Sequence, residues 1–376
     1  MEEVQIQREA EYNQNQQYNQ GSQNNEIDKE LESLLQKQSA RVKVVGCGGG
    51  GGNCVSRMKE IGIKGCEILA VNTDAQDLLY TNVDSKVLIG RELTHGLGAG
   101  SNPKVGEEAA KESEQELRKK LSDSDMVFIT CGLGGGTGTG AAPVVAEIAK
   151  KQGALTIGVV TMPFTVEGQK RIENSQYGLE KLASITDTLI VIPNDKLLEI
   201  APEIPIHTAF KVADEILTNS VKGITELITK SGLVNLDFAD VKAVMSNGGV
   251  SLIGIGEADS NERAKEAVDR AINNPLLDVD IANAKGALVY IIGGNDMSLD
   301  EYKEIMEVIG NKISPDAKLI SGAQISADMD KTIKVLLIVT GVKSQQITGS
   351  SVELSKNQQQ ELEQELGISF VEEDSE

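Results

Sequence analysis

A chain of 376 residues with a formal net charge of −21 lacks the clustered cations that hold nucleic acid and is repelled by an anionic membrane surface. With 40% hydrophobic and 25% charged residues it can bury two moderate cores, so two domains are expected. Two histidines, and four cysteines without a CxxC pair, exclude the usual zinc ligand sets, argue against a Ser-His-Asp triad, and fit reduced thiols in a cytoplasmic protein.

Residues 1–40 begin with a stretch rich in Gln, Asn and Glu that cannot bury enough apolar surface to order itself. Leu31, Leu34 and Leu35 suggest a short amphipathic helix over 27–38. Order is expected from Arg41. A strand over 42–45 runs into Gly46-Cys47-Gly48-Gly49-Gly50-Gly51-Gly52-Asn53, which opens a helix through Met58, and a second strand covers 67–71. The glycines contain Gly46-x-Gly48-x-x-Gly51, the dinucleotide fingerprint, with Asp74 near the end of the next strand. An NAD-binding oxidoreductase is therefore one reading, and close strand–helix packing is another.

A buried strand at 126–130 leads into Gly132-Leu133-Gly134-Gly135-Gly136-Thr137-Gly138-Thr139-Gly140, followed by a helix over 141–149. Backbone N–H groups of such a turn, with the positive end of the helix, converge on an anion without a lysine. No Gly-Lys-Ser or Gly-Lys-Thr triplet occurs, so this is not the common phosphate loop. Two cradles suit a triphosphate held from both sides, with amide donors and Mg²⁺ expected to neutralise its charge. Strands at 155–160 and 188–192 continue the alternation and predict a parallel sheet covered on both faces.

A long helix follows over 207–230, its apolar positions spread widely enough to pack against two bodies, and Ser231-Gly232 ends it. In Gly232-Leu233-Val234-Asn235-Leu236-Asp237-Phe238-Ala239-Asp240-Val241, Asp237 and Asp240 stand three apart at a helix start. That spacing is ordinary capping, and the helix dipole keeps both carboxylates ionised, suited to orienting water and not to acting as a general base. Helices over 264–272 and 298–309 and strands over 287–292, 318–325 and 332–340 predict a smaller sheet with helices on one face, with Ser298 and Glu301 as a capping box. The tail over 344–376 is polar and acidic around an apolar island at 367–371. No apolar run reaches membrane-span length and no basic-then-apolar signal opens the chain, so no direct membrane insertion is expected.

The second glycine run closely resembles the segment shared by tubulins and the FtsZ cell-division GTPases. Val71-Asn72-Thr73-Asp74-Ala75-Gln76, Gly96-Leu97-Gly98-Ala99-Gly100-Ser101-Asn102-Pro103, Pro163-Phe164-Thr165-Val166-Glu167-Gly168-Gln169-Lys170-Arg171 and the segment over 232–241 extend the resemblance. Ser101 departs from it, standing where glycine is more frequent. The likeness spans residues 41–343, and Gly46-Cys47-Gly48, Lys222-Gly223-Ile224-Thr225-Glu226-Leu227 and Ala323-Gln324-Ile325 look closer to archaeal members.

The resemblance implies a tubulin/FtsZ-like α/β fold: a parallel-sheet GTP-binding domain over 41–205, a central helix over 206–231, and a smaller α+β domain with a mixed sheet over 232–343. It implies that GTP or GDP is held by Gly49, Gly50, Gly51, Gly52, Asn53, Asn72, Thr73, Asp74, Gly98, Ala99, Gly100, Gly135, Gly136, Thr137, Gly138 and Thr139, with the loops over 71–76 and 96–103 reaching the β- and γ-phosphates and Mg²⁺. Glu167 would contact the ribose, Arg171 lie near sugar and base, Phe210 stack on guanine, and Asp214 accept from its N1–H and amino group. Spacing alone reads Glu167 and Arg171 as an exposed i,i+4 pair and Asp214 as a solvated acid.

In the family the loop carrying Asn235, Asp237 and Asp240 completes the neighbouring subunit's site, which implies catalysis tied to head-to-tail assembly into the filaments of a mid-cell division ring. The tail lacks the proline-containing docking peptide of many bacterial members, and the island at 367–371 is expected to bind a membrane-tethering division adaptor. A nucleotide-gated scaffold that barely hydrolyses GTP is the remaining alternative.

Overall fold

The computed structural model describes residues 40–200, 205–229, 233–234, 236–277 and 281–342. The helix expected over 27–38, the helix stop at Ser231-Gly232, Asn235 and the island at 367–371 lie outside the described residues.

β1 (Val42–Cys47), β2 (Cys66–Asn72), β3 (Ser85–Leu88), β4 (Met126–Gly132), β5 (Leu155–Met162) and β6 (Thr188–Pro193) pair in parallel in the order β3-β2-β1-β4-β5-β6. β4 and β5 are buried over all but their last residue, as strands covered on both faces must be. The chain steps outward from β1 to β3, then returns to place β4 on the other side of β1. That reversal is a topological switch point, and open α/β sheets bind ligands at the carboxyl ends of the strands there. Both glycine runs leave the sheet at this crevice.

The helices of this half are α1 (Gly48–Glu60), α2 (Ala75–Tyr80), α3 (Arg91–Thr94), α4 (Pro103–Glu112), α5 (Glu114–Leu121), α6 (Thr137–Lys151), α7 (Gln169–Ile185) and α8 (Asp195–Ile200). The long helix, α9 (Ile206–Thr229), is followed by α10 (Phe238–Met245), α11 (Arg263–Ile272) and α12 (Leu299–Lys312). One core joins α4, α5, α6 and α7 with α11 and α12. The other lies on the opposite face, where Val221, Ile224 and Leu227 of α9 pack with Met58 of α1, Ile190 of β6 and, from the second half, Leu288, Tyr290 and Leu336. α9 therefore packs against both halves, as its wide apolar face predicts.

The second half departs from expectation twice. β7 (Gly249–Ala258) was not anticipated; it pairs parallel to β6 and antiparallel to β10 (Ile333–Thr340), which with β8 (Gly286–Gly293) and β9 (Lys318–Ile325) completes one mixed ten-stranded sheet. Glycines hid the strand: Gly254 and Gly256 lie against backbone of Ala271 and Ala267, where a Cβ would collide with α11. Helices cover both faces here, since Val241 and Met245 of α10 pack on the side opposite α11 and α12. Among the described residues no helix is long and apolar enough to cross a membrane.

Candidate functional site

Both glycine runs are helix starts more than loops. α1 begins at Gly48, directly after β1, and α6 begins at Thr137, so Thr137-Gly138-Thr139-Gly140 form its first turn. The unpaired N–H groups of two helix N-termini are thereby brought together. Gly48 has φ +70°, and a Cβ there would sit 2.7 Å from the Gly138 nitrogen. The left-handed backbone and the contact each require glycine.

Between these starts lies a cleft of about 350 Å³. Of the residues singled out in the sequence, Gly49, Gly50, Asn53, Gly135, Gly136, Thr137, Gly138, Glu167, Arg171, Phe210 and Asp214 line it. Gly51, Gly52 and Thr139 do not. A Cβ on Gly51 would lie 2.6 Å from the Thr130 carbonyl, Gly52 faces Thr81, and the Thr139 hydroxyl accepts from Gly134 N–H at 2.9 Å. These three support the walls.

Asn72, Thr73, Asp74, Gly98, Ala99 and Gly100 form a layer beside the second glycine run. Asn72 donates to Asp77 at 2.6 Å and accepts from Thr73 N–H at 2.8 Å, while the Thr73 and Thr137 hydroxyls share a hydrogen bond of 2.7 Å. Asp74 caps α2, accepting from Gln76 N–H at 2.9 Å and Asp77 N–H at 3.0 Å. Gly98 N–H reaches the Thr73 carbonyl at 3.2 Å. A Cβ on Gly136 would meet the Ala99 methyl at 2.9 Å, and Gly100 has φ +58°. Ser101 also holds φ +58°, a conformation costly for any residue with a Cβ.

At the other end of the cleft, Phe210 is 41% exposed and packs edge-on against buried Phe164, centroids 5.3 Å apart and planes at 84°. Asp214, one turn along α9, has its pKa pushed up to about 6 by burial, against the pull of Arg57. Glu167 is ion-paired with Arg171 and accepts from Phe164 N–H at 2.9 Å. The i,i+4 pair that spacing alone suggests exists and also lines the cleft. Asn194 was missed: it lines the cleft, is 4% exposed, and its Oδ1 has no hydrogen-bond partner among the described residues. A polar residue directly after β6, at the carboxyl edge of the sheet, was the available signal. Thr161 and Leu217 also line the cleft without having been anticipated.

Cys54 joins α1 to α9, its Sγ 3.9 Å from the Thr218 hydroxyl and 3.7 Å from that of Thr130. Burial pushes the Cys47 and Cys54 thiols up to about 12, so neither offers a thiolate nucleophile near neutral pH.

Asp237 and Asp240 lie elsewhere. Asp214 and Thr229 are fifteen residues apart on α9, about 22 Å along a helix axis. Thr229 abuts Gly65, just before β2 starts, so α9 runs from the carboxyl edge of the parallel strands to the amino edge. Beyond it Asp237 caps α10, accepting from Asp240 N–H at 2.8 Å, while Asp240 accepts from Asp237 N–H at 3.4 Å. Both carboxylates are exposed, and Leu233 and Val234 beside them are 66% and 39% exposed. Around the cleft, Leu97 and Val166 are exposed by 84% and 78%.

Residues 41–202 match the model of the tubulin/FtsZ family GTPase domain, and residues 249–343 match that of the FtsZ family C-terminal domain. The chain is 63% identical to cell division protein FtsZ 1 of Thermococcus kodakarensis over 319 residues, 85% of each chain. It is 59% identical to cell division protein FtsZ 1 of Methanocaldococcus jannaschii over 317 residues, 84% of this chain and 87% of that one. Its fold superposes on a solved M. jannaschii FtsZ dimer with a TM-score of 0.81 over 84% of this chain and 92% of the other, at 59% identity. CetZ2 of Haloferax volcanii, solved as a GTPγS-bound protofilament, shares the fold at a TM-score of 0.72 and 21% identity, over 86% of this chain and 99% of that one.

Proposed function

This chain belongs to the FtsZ family of tubulin-like cell-division proteins, and on that premise we propose that it is a GTPase whose active site is completed only when one copy docks head-to-tail on another. The observation that carries this reading is the distance of Asp237 and Asp240 from the cleft. They sit past the far end of α9, exposed and flanked by exposed apolar residues, while the cleft at its near end has exposed Leu97 and Val166 around it. Two different apolar-rimmed ends on one molecule make a heterologous contact that propagates into a filament.

In this reading the amide groups of α1 and α6 hold the phosphates, Phe210 stacks on guanine and Asp214 accepts from its N1–H and amino group. Adenine lacks that donor pair. The buried Asn194 Oδ1 would accept a further hydrogen bond from the base. Mg²⁺ neutralises phosphate charge when bound. Among the described residues there is no group of three or more His, Cys, Asp or Glu that could hold it, and Asp74 and Asp77 are engaged with α2 and Asn72, so phosphate oxygens and water would supply most ligands. Asp237 and Asp240 of the next copy would orient the attacking water. The protein would act in the cytoplasm at the division ring, anchored by an adaptor on the acidic tail. The dehydrogenase alternative needs one phosphate cradle, whereas two helix starts converge on this cleft.

Phosphate release titrated against protein concentration tests this. Turnover per subunit should rise steeply at the concentration where light scattering shows assembly; a constant turnover through that point counts against a shared site, and filaments without phosphate release would mark a scaffold. GTP binding should also depend on pH in a defined direction. Guanine needs the Asp214 carboxylate, whose pKa in the free protein is about 6, so affinity for GDP is flat above pH 7 and weakens through pH 6 toward about tenfold per unit. Titration of a fluorescent GDP analogue between pH 8 and 5 checks it.

A further inference from the structure

The layer over 98–101 and the second glycine run are held together by one side chain to which nothing above assigns a role. Asn174, on α7 and only 7% exposed, donates from Nδ2 to two carbonyls: Ser101 O at 3.1 Å and Gly134 O at 3.2 Å. Each acceptor belongs to a backbone position with left-handed φ, +58° at Ser101 and +101° at Gly134. At Ser101 that conformation is costly for the chain to keep unaided, whereas at Gly134 it is open to glycine alone. A primary amide has two N–H donors on one nitrogen, so a single Asn can tie two loops where a hydroxyl could tie one.

The same helix face anchors the segment on the other side of Ser101. Tyr177 and Lys181, three and seven residues after Asn174, donate to Glu107 of α4 at 3.3 and 2.6 Å. Lys111 and Lys181 hold the Glu107 carboxyl down at about 2, so this tie persists at all working pH values. Residues 101 to 107 are therefore strapped to α7 at both ends, and α7 also carries Arg171 of the cleft wall. The layer over 98–101 sits behind Gly136, outside the cleft where Phe210 and Asp214 converge. Since that layer, with Thr73 beside it, touches the cleft wall at Gly136 and Thr137, a nucleotide with its base at Phe210 and Asp214 would approach it with its terminal phosphate.

We propose that Asn174 is a positioning residue for the terminal phosphate: by drawing the Ser101 and Gly134 carbonyls back, it holds the neighbouring amide groups in the arrangement that distinguishes GTP from GDP. This rests on the cleft being the guanine nucleotide site. Preorganised donors bind without a reorganisation cost, so removing the tie falls on the ligand that needs both loops at once.

The experiment titrates full-length protein with GDP and with the β,γ-methylene analogue of GTP, below the concentration at which light scattering shows assembly. In Asn174→Ala, Asn174→Asp and Asn174→Leu, affinity for the analogue should fall about tenfold while affinity for GDP changes less than about threefold. Asp and Leu approximate the side chain's size and lack its donors, so they separate hydrogen bonding from packing. The proposal is overturned if both ligands weaken equally in variants of unchanged thermal midpoint, or if Asn174→Leu keeps the wild-type ratio. Should one variant unfold, the ratio is read on the other two. Failure of wild-type protein to bind GDP would refute the site reading instead, a result distinct from either.

Discussion

Asp240→Ala and Asp237→Ala should each lower GTP turnover by about a hundredfold to a thousandfold, the usual loss when a polar group aligned on the reacting centre is removed, while affinity for GTP and GDP stays within about twofold. Binding is spared because neither residue touches the chain's own cleft. The competing explanation is structural, since the two acids cap α10 reciprocally and losing a cap costs about 1 kcal/mol. Asp237→Asn separates the two. Asparagine caps a helix as well as aspartate does but brings no charge to the neighbour's water, so α10 should keep its stability while turnover falls. Phosphate release above the assembly concentration, read beside thermal midpoint and light scattering, gives all three quantities. An Asp237→Asn protein with wild-type turnover would reduce the acid to a cap.

Asp214→Asn should weaken GTP binding on the order of a thousandfold and create binding of XTP. Guanine presents two adjacent donors, the N1–H and the amino group, and a carboxylate accepts from both. An amide accepts from one and turns its own N–H₂ toward the other, leaving two donors face to face in a site that is partly buried. Sites built around a particular donor–acceptor pattern reject the wrong partner by large factors for this reason. Xanthine has a carbonyl where guanine has the amino group, so it matches the amide. The substitution also removes the carboxyl that burial raises to about 6, so the weakening of binding below pH 6 should disappear with it. Competition between GTP and XTP, with assembly followed under each, reads the switch.

The alternation of strands and helices was legible because buried parallel strands such as β4 and β5 are continuous apolar runs, and because the glycine runs are anchored to strand ends. β7 was not legible, since its Gly254 and Gly256 answer to the backbone of Ala271 and Ala267, a contact made only when α11 folds back onto the strand. The helix character of the glycine runs was hidden for a related reason. Glycine is a poor helix former, and Gly48 to Gly52 are helical because α1 packs on Thr130 and Thr81, contacts that no local pattern announces.

The polar site residues divide in the same way. Glu167, Arg171, Phe210 and Asp214 could be located from family motifs, and each reaches the cleft. Asn194 and Asn174 carried no motif in this reading. Their significance lies in an unpaired buried Oδ1 and in two hydrogen bonds to residues 40 and 73 positions away in the chain, which only the folded arrangement makes visible.

Complementation between two inactive variants tests most directly whether one copy's acids serve another's nucleotide. Asp240→Ala keeps an intact cleft and lacks the acid; Asp214→Asn keeps the acid and cannot use GTP. Mixed in equal amounts, with GTP and XTP both present so that each subunit is loaded, about a quarter of head-to-tail contacts join a GTP-loaded cleft to a loop that carries the acid. Phosphate released from GTP should then recover to about a quarter of the wild-type rate. Filaments that contain both variants and yet release no more GTP-derived phosphate than the two proteins do separately would contradict a site shared between subunits.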